Sequence, residues 1–182
     1  MLKRLSSGIA RCEGAIAAGL AALVSLLILL NIATRSLGHA LYWTDELAIH
    51  AMIWMTFFTT SAVLKRRDGV AVTLLMDALP SSIHQGMRVF VDTMVLVFAL
   101  FLAVLCWRWY DPATLWATGF DIQAFQGKTF NFIYSETSRT LGIPKFWIWL
   151  CLPIFAASLS LHATVNLVDC LKGLVSAERR SA

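Results

Sequence analysis

Charge is scarce in this sequence: Asp, Glu, Lys and Arg make up 14% of its 182 residues, against roughly 25% in an ordinary soluble domain. With 58% of the chain hydrophobic, a water-soluble globule is excluded and the bilayer becomes the main solvent. Cysteine is sparse as well. Cys12, Cys106, Cys151 and Cys170 form no C-x-x-C pair, so neither a disulfide framework nor a zinc site is expected, and all four read as small buried apolar side chains. The chain also lacks a phosphate-binding glycine loop, an H-E-x-x-H pair and any serine, histidine and acid set nominated by spacing. No enzymatic activity and no cofactor or metal are expected. The basic surplus behind a pI near 9.1 needs no nucleic acid, because anionic lipid headgroups account for it.

Long uncharged runs are what the sequence does have. Gly14 to Ala33 carries no charge, and Phe146 to Val168 carries none apart from the titratable His162. Leu47 to Leu64 and Val89 to Trp107 are nearly as clean, with His50 and Asp92 as polar intruders. A helix rises about 1.5 Å per residue, so each run can cross about 30 Å of hydrocarbon. The expectation is an all-α integral membrane protein forming one membrane domain over 1–182. Four spans fall at about 14–34, 45–64, 88–110 and 146–169, with a longer outer segment over 111–145. The start, Met1-Leu2-Lys3-Arg4, resembles a signal-peptide n-region, but the following run is too long for an h-region and reads as an uncleaved anchor.

Basic residues set the orientation. Lys3, Arg4, Arg11, Lys65, Arg66, Arg67, Arg88, Lys172, Arg179 and Arg180 fall on one side, and Arg35, Arg108, Lys128, Arg139 and Lys145 on the other. The positive-inside rule then places both termini in the cytoplasm. Lys65, Arg66, Arg67 and Arg88, with Trp107 and Trp109 at the opposite level, are candidates for lipid contact. Asp92 follows Arg88 by four residues, a spacing that allows a pair on one helix face.

In span one, Gly14, Ala18, Ala22 and Ser25 form a small-residue face suited to close helix approach. In span two, Thr44 is a plausible N-cap, and Asp45 and Glu46 put negative charge in the first turn, where the helix dipole favours it. Thr56, Thr59 and Thr60 form a hydroxyl stripe that argues for a protein neighbour. Asp68-Gly69 marks a turn, and Val70 to Leu79 is apolar but too short to cross, so it reads as an interfacial amphipathic piece. Asp111-Pro112 stops span three, short interfacial helices are expected near Asp121 to Phe125 and Phe132 to Leu141, and Pro153 should kink span four.

The histidines do not converge. His50 sits about one turn from the outer surface, whereas His162 lies about 22 Å deep, too far for both to ligate one haem iron. A four-helix redox protein of the cytochrome b type stays as the alternative. Transport by this chain alone lacks midplane charges and paired broken helices. The expected role is to brace or recruit a partner.

The residues resemble the small membrane subunit of tripartite ATP-independent periplasmic (TRAP) transporters, the DctQ-like proteins. The resemblance rests on Arg35 after span one, Trp43-x-Asp45-Glu46 and Ile53-Trp54-Met55-Thr56-Phe57 in span two, Val72 to Pro80 after the basic stop, and Leu141-Gly142-Ile143-Pro144 through Leu152-Pro153. It implies a small permease subunit in a bacterial or archaeal cytoplasmic membrane. Such a subunit braces a large elevator-type partner in Na⁺-coupled uptake of an organic acid or related solute that a periplasmic solute-binding protein delivers. Arg35, Trp43, Asp45, Glu46, Trp54, Thr56 and Thr60 become candidate partner contacts, while an interfacial cap with solvated acids accounts for the acidic pair equally well. The family often has a histidine just after the basic stop, where Gly69 or Val70 stands here, and the segment over 112–138 looks longer than usual.

Overall fold

The structure, a computed structural model, describes residues 1–67, 69, 80 and 83–181, with side chains through 173. The readings of Asp68-Gly69, of Val70 to Leu79 and of Val72 to Pro80 fall, apart from Gly69 and Pro80 themselves, outside the described residues. Four long helices carry the fold: α1 (Leu2–Ser36), α2 (Tyr42–Arg66), α3 (His84–Tyr110) and α7 (Cys151–Ser181). Three short ones lie between α3 and α7, namely α4 (Pro112–Ala117), α5 (Ile122–Thr129) and α6 (Lys145–Trp149). Among the described residues four segments are long and apolar enough to cross a bilayer, as in a multi-pass membrane protein. Among the described residues no strand forms, only an isolated bridge between Thr137 and Pro144.

Four antiparallel passes put both chain ends on the same side. The Lys3 to Asp169 ion pair, 2.9 Å long, ties α1 to α7 there. That end is called proximal below, and the end with the α1–α2 turn is called distal. The α1–α2 turn closes through Gly38, whose φ of +80° suits glycine, while the His39 N–H donates 2.9 Å back to the Thr34 carbonyl.

α1 packs mainly on α2 and α3 mainly on α7, and α7 also reaches α2 and α1. Half of the apolar window of α7 is buried, against about a fifth in each of the others. The apolar core is small, with Ala99, Phe155 and Leu159 at its centre and Phe57, Leu64, Val95 and Leu102 packed against them. Most large apolar side chains of α1 and α3, such as Leu26, Leu29, Phe98 and Phe101, point outward. Lipid tails are as apolar as leucine, so helix association in a bilayer depends on close packing of small residues and on interhelical polar bonds. Ala10, Ala17, Ala48, Ala51 and Ala62 supply the first of these.

Several expectations need correction. The buried seam of α1 is Ser6, Ala10, Glu13, Ala17, Val24 and Leu27. Of the expected small-residue face, Gly14 and Ala18 line an open groove against α2 and Ala22 and Ser25 are exposed. α2 begins at Tyr42, so Thr44 is inside the helix and buried, its hydroxyl donating 2.6 Å to the Leu41 carbonyl rather than capping. Residues 132–141 form turns and the Thr137 bridge instead of a helix, whereas Asp121 does cap α5, accepting from the N–H groups of Gln123 and Ala124. Cys12 is exposed, while Cys106, Cys151 and Cys170 are buried and free. The break before Pro153 is present. Helix is interrupted at Leu150, because proline offers no N–H to the Trp149 carbonyl and its ring crowds that turn.

Candidate functional site

The polar chemistry of the bundle gathers along one face of α7. Ser158, His162, Asn166 and Asp169 recur at helical spacing and turn toward α1 and α2. Opposite them Glu13 of α1 enters the bundle 4% exposed, beside a fully buried His162. The Ser61 hydroxyl donates to Glu13 Oε1 at 3.0 Å, the Ser158 hydroxyl also bonds Oε1, and the two serine oxygens lie 2.8 Å apart. His162 Nε2 lies 3.2 Å from Glu13 Oε2, and its Nδ1 lies 2.8 Å from the hydroxyl of fully buried Ser6.

Toward the proximal end the same face continues. The Asn166 amide N–H₂ donates 3.2 Å to the Leu64 carbonyl, Lys65 Nζ donates 3.2 Å to Asn166 Oδ1, and Arg67 Nη2 donates 2.9 Å to the Asn166 carbonyl. Arg67 closes α2 in the left-handed region, φ 60°, and its guanidinium pairs with Asp92 of α3. The expected Arg88 to Asp92 pair is therefore replaced by Arg67 to Asp92, the left-handed closing residue of α2 reaching across to α3. Of the lipid-contact candidates, Arg66, Arg88, Trp107 and Trp109 are exposed, while Lys65 and Arg67 are turned inward.

Burying an acid, an imidazole and their hydroxyl partners in lipid-spanning helices costs desolvation, which hydrogen bonds must offset. Here they do. Among the described residues every buried side-chain nitrogen or oxygen has a partner, and no trio of His, Cys, Asp or Glu lies close enough to hold a metal. The expectation of spans lacking midplane charges is thus corrected: the interior is ionisable and polar, and among the described residues its buried groups bond one another or the backbone. Glu13 escaped sequence reasoning because it directly precedes the uncharged run and so marked its edge, although α1 starts at Leu2. The spacing of Ser158, His162 and Asn166 was a visible signal.

A second set of contacts fixes the distal end. Arg35 pairs with Asp45 at 2.7 Å and also donates 3.0 Å to Asn31 Oδ1, and Asn31 bonds Asp45. Glu46 holds a loop. Its carboxylate accepts from the backbone N–H groups of Arg139 at 2.9 Å, Thr140 at 2.7 Å and Leu141 at 3.0 Å, and from the Thr140 hydroxyl. The loop itself is closed by the Ser138 N–H on the Ile143 carbonyl at 2.8 Å and by the Lys145 to Glu136 pair at 2.9 Å. The Trp54 indole donates 2.8 Å to the carbonyl of Ile148, next to the helix break before Pro153. Trp43 is exposed. Thr56 and Thr60 are exposed too, their hydroxyls folded back on the carbonyls of Met52 and Thr56 at 2.8 Å.

Segment 111–145 lies over the distal ends of α3 and α7. Asp111 ends α3 and accepts from the Thr114 N–H to cap α4, with Pro112 at its first position. Phe125 is fully buried and stacks edge-on to Tyr134 at 5.3 Å. The Tyr134 hydroxyl donates 2.6 Å to the Tyr110 carbonyl, and Tyr110 donates 2.8 Å to that of Phe146. Burial, helped by the Asp111 carboxylate, pushes the Tyr134 phenol above its ordinary pKa.

The family described as tripartite ATP-independent periplasmic transporters, DctQ component, matches residues 24–173. The isethionate TRAP transporter permease protein DctMQ of Oleidesulfovibrio alaskensis is 26% identical over 115 residues. That alignment covers 63% of this chain and 15% of the relative, so the chain spans a small part of that protein's length.

Proposed function

This chain belongs to the DctQ component family of tripartite ATP-independent periplasmic transporters, and from that membership we propose that it is the small permease subunit of such a system. It braces a large elevator-type membrane subunit during Na⁺-coupled uptake of an organic acid or related solute brought by a periplasmic solute-binding protein. Both termini lie in the cytoplasm, and the distal segment 111–145 faces the periplasm of a bacterial or archaeal cytoplasmic membrane. The basic residues at the proximal end support that orientation.

The observation that carries the proposal is the family match across most of the bundle. The geometry agrees with a bracing role. The polar groups inside the bundle are satisfied by one another, as suits a part that holds its shape, whereas α1 and α3 offer broad apolar faces for lipid or partner helices. Arg35, Trp43, Asp45, Thr56 and Thr60 stand exposed and are the proposed partner contacts. Glu46 and Trp54 act from behind, holding the 139–141 loop and the broken turn before Pro153.

Co-purification with a co-expressed large subunit tests this. Arg35→Ala and Asp45→Ala should each reduce the retained partner while the chain keeps its own melting temperature. Full retention by both variants returns this pair to a distal-end interfacial role.

A further inference from the structure

At the proximal end a cleft of about 550 Å³ opens between the ends of α2, α3 and α7. Lys65, Arg67, His84, Arg88 and Asn166 line it. Its acids are already engaged, Asp92 by Arg67 and Asp169 by Lys3 of α1. Lys65 donates to the neutral amide oxygen of Asn166, and among the described residues neither Lys65 nor Arg88 forms a salt bridge. The fold thus gathers Lys65, Arg67 and Arg88 around one opening and, with Arg67 paired to Asp92, leaves Lys65 and Arg88 as a positive surplus there. Like charges held close repel, so the arrangement favours an anion among them.

The height of the cleft and its surroundings say which anion. Lys65 follows directly on the apolar run that ends at Leu64, and Arg88 directly precedes the run that starts at Val89, so the cations stand at headgroup level. Below them, α2 and α3 both pack on α7 but little on each other. Phe57 and Leu64 on one side and Val95 and Leu102 on the other stand only partly buried over Phe155 and Leu159. Partly exposed apolar side chains of α2 and α3 therefore flank α7 beyond the basic mouth.

We propose that this cleft binds the headgroup phosphate of an anionic phospholipid, with one acyl chain lying against the partly exposed apolar side chains of α2 and α3 that flank α7. Lys65 and Arg88 hold the phosphate, and Arg67, paired with Asp92, shapes the floor. The site would fasten α2 to α3, which make few direct contacts with each other. It depends on the membrane location of the chain and not on the transport role.

The test uses the purified full chain in an uncharged detergent. Thermal melting is followed during titration with phosphatidylglycerol, with phosphatidylcholine of the same acyl chains, or with inorganic phosphate, and retained lipid is counted by native mass spectrometry. Phosphatidylglycerol alone should raise the melting temperature and stay bound. Lys65→Gln combined with Arg88→Gln should weaken its half-saturation about tenfold or more, and Arg108→Gln at the distal end should leave it unchanged. Arg88→Gln alone, at an exposed position, gives the same reading in smaller measure if the double variant melts too low. The proposal fails if phosphatidylcholine or inorganic phosphate stabilises equally, if the variants bind phosphatidylglycerol as tightly as the parent, or if Arg108→Gln weakens it as much.

Discussion

Replacing Glu13 with alanine removes the one acceptor on which the hydroxyls of Ser61 and Ser158 and the imidazole of His162 converge. Three buried groups then face a void; the two serine hydroxyls can still bond each other, but His162 Nε2 and one serine donor lose their acceptor. Interhelical polar contacts in membranes are worth about 0.6 kcal/mol on average and up to about 1.7 kcal/mol each, while breaking a buried charged pair in a soluble interior costs about 3–5 kcal/mol. Removing all three hydrogen bonds at once places Glu13→Ala at about 2–4 kcal/mol by these scales. For a chain of this length that corresponds to a melting temperature lower by roughly 5–15 °C. Glu13→Gln is the control. Its amide oxygen still accepts from both serines and its amide N–H₂ reaches His162 Nε2, so it should stay within about 1 kcal/mol of the parent. In a double-mutant cycle, Ser158→Ala should cost less on the Glu13→Ala background, with a coupling of about 1 kcal/mol. The assay is reversible unfolding in mixed micelles, read by circular dichroism. Glu13→Ala within about 0.5 kcal/mol of the parent, or Glu13→Gln as damaging as Glu13→Ala, would refute the claim that this hydrogen-bond network holds α1 to α7.

Glu46→Ala frees the backbone N–H groups of residues 139–141, so their amide hydrogen exchange should speed up while that of Phe155 and Leu159 stays slow; unchanged exchange at 139–141 counts against the clamp. Arg67→Ala strands the largely buried Asp92 and should cost about 2 kcal/mol, whereas Arg66→Ala, on the exposed face of α2, should cost less than about 0.5 kcal/mol. Equal melting temperatures for the two variants would contradict the inward role of Arg67. Trp54→Phe keeps the ring but removes the donor to the Ile148 carbonyl, and should cost about 1 kcal/mol; no change would mean that another group satisfies that carbonyl.

The membrane spans were legible because hydropathy is a local property: runs such as Gly14 to Ala33 and Phe146 to Val168 declare themselves without knowledge of their neighbours. Asp111-Pro112 and Pro153 were legible for the same reason, since proline acts on its own turn. What stayed hidden depends on partners far away in the chain. Glu13 meets His162 across 149 positions, and Arg67 at the end of α2 meets Asp92 of α3 across 25. A carboxylate at the edge of an apolar run looks like a boundary, and only the extension of α1 back to Leu2 puts it inside the bundle. The segment over 132–141 misled for a related reason. Its backbone is held by the Thr137 bridge and by Glu46, some 90 residues away, rather than by helical propensity.

The proposed role is that of a chain that braces a transporter and carries nothing across by itself. Reconstitution into liposomes with and without a co-expressed large TRAP subunit and its solute-binding protein, under an inward Na⁺ gradient, addresses that directly. Uptake should require both membrane subunits, and liposomes with this chain alone should show none. Solute or ion flux through the isolated chain, or full uptake by the large subunit without it, would contradict the account.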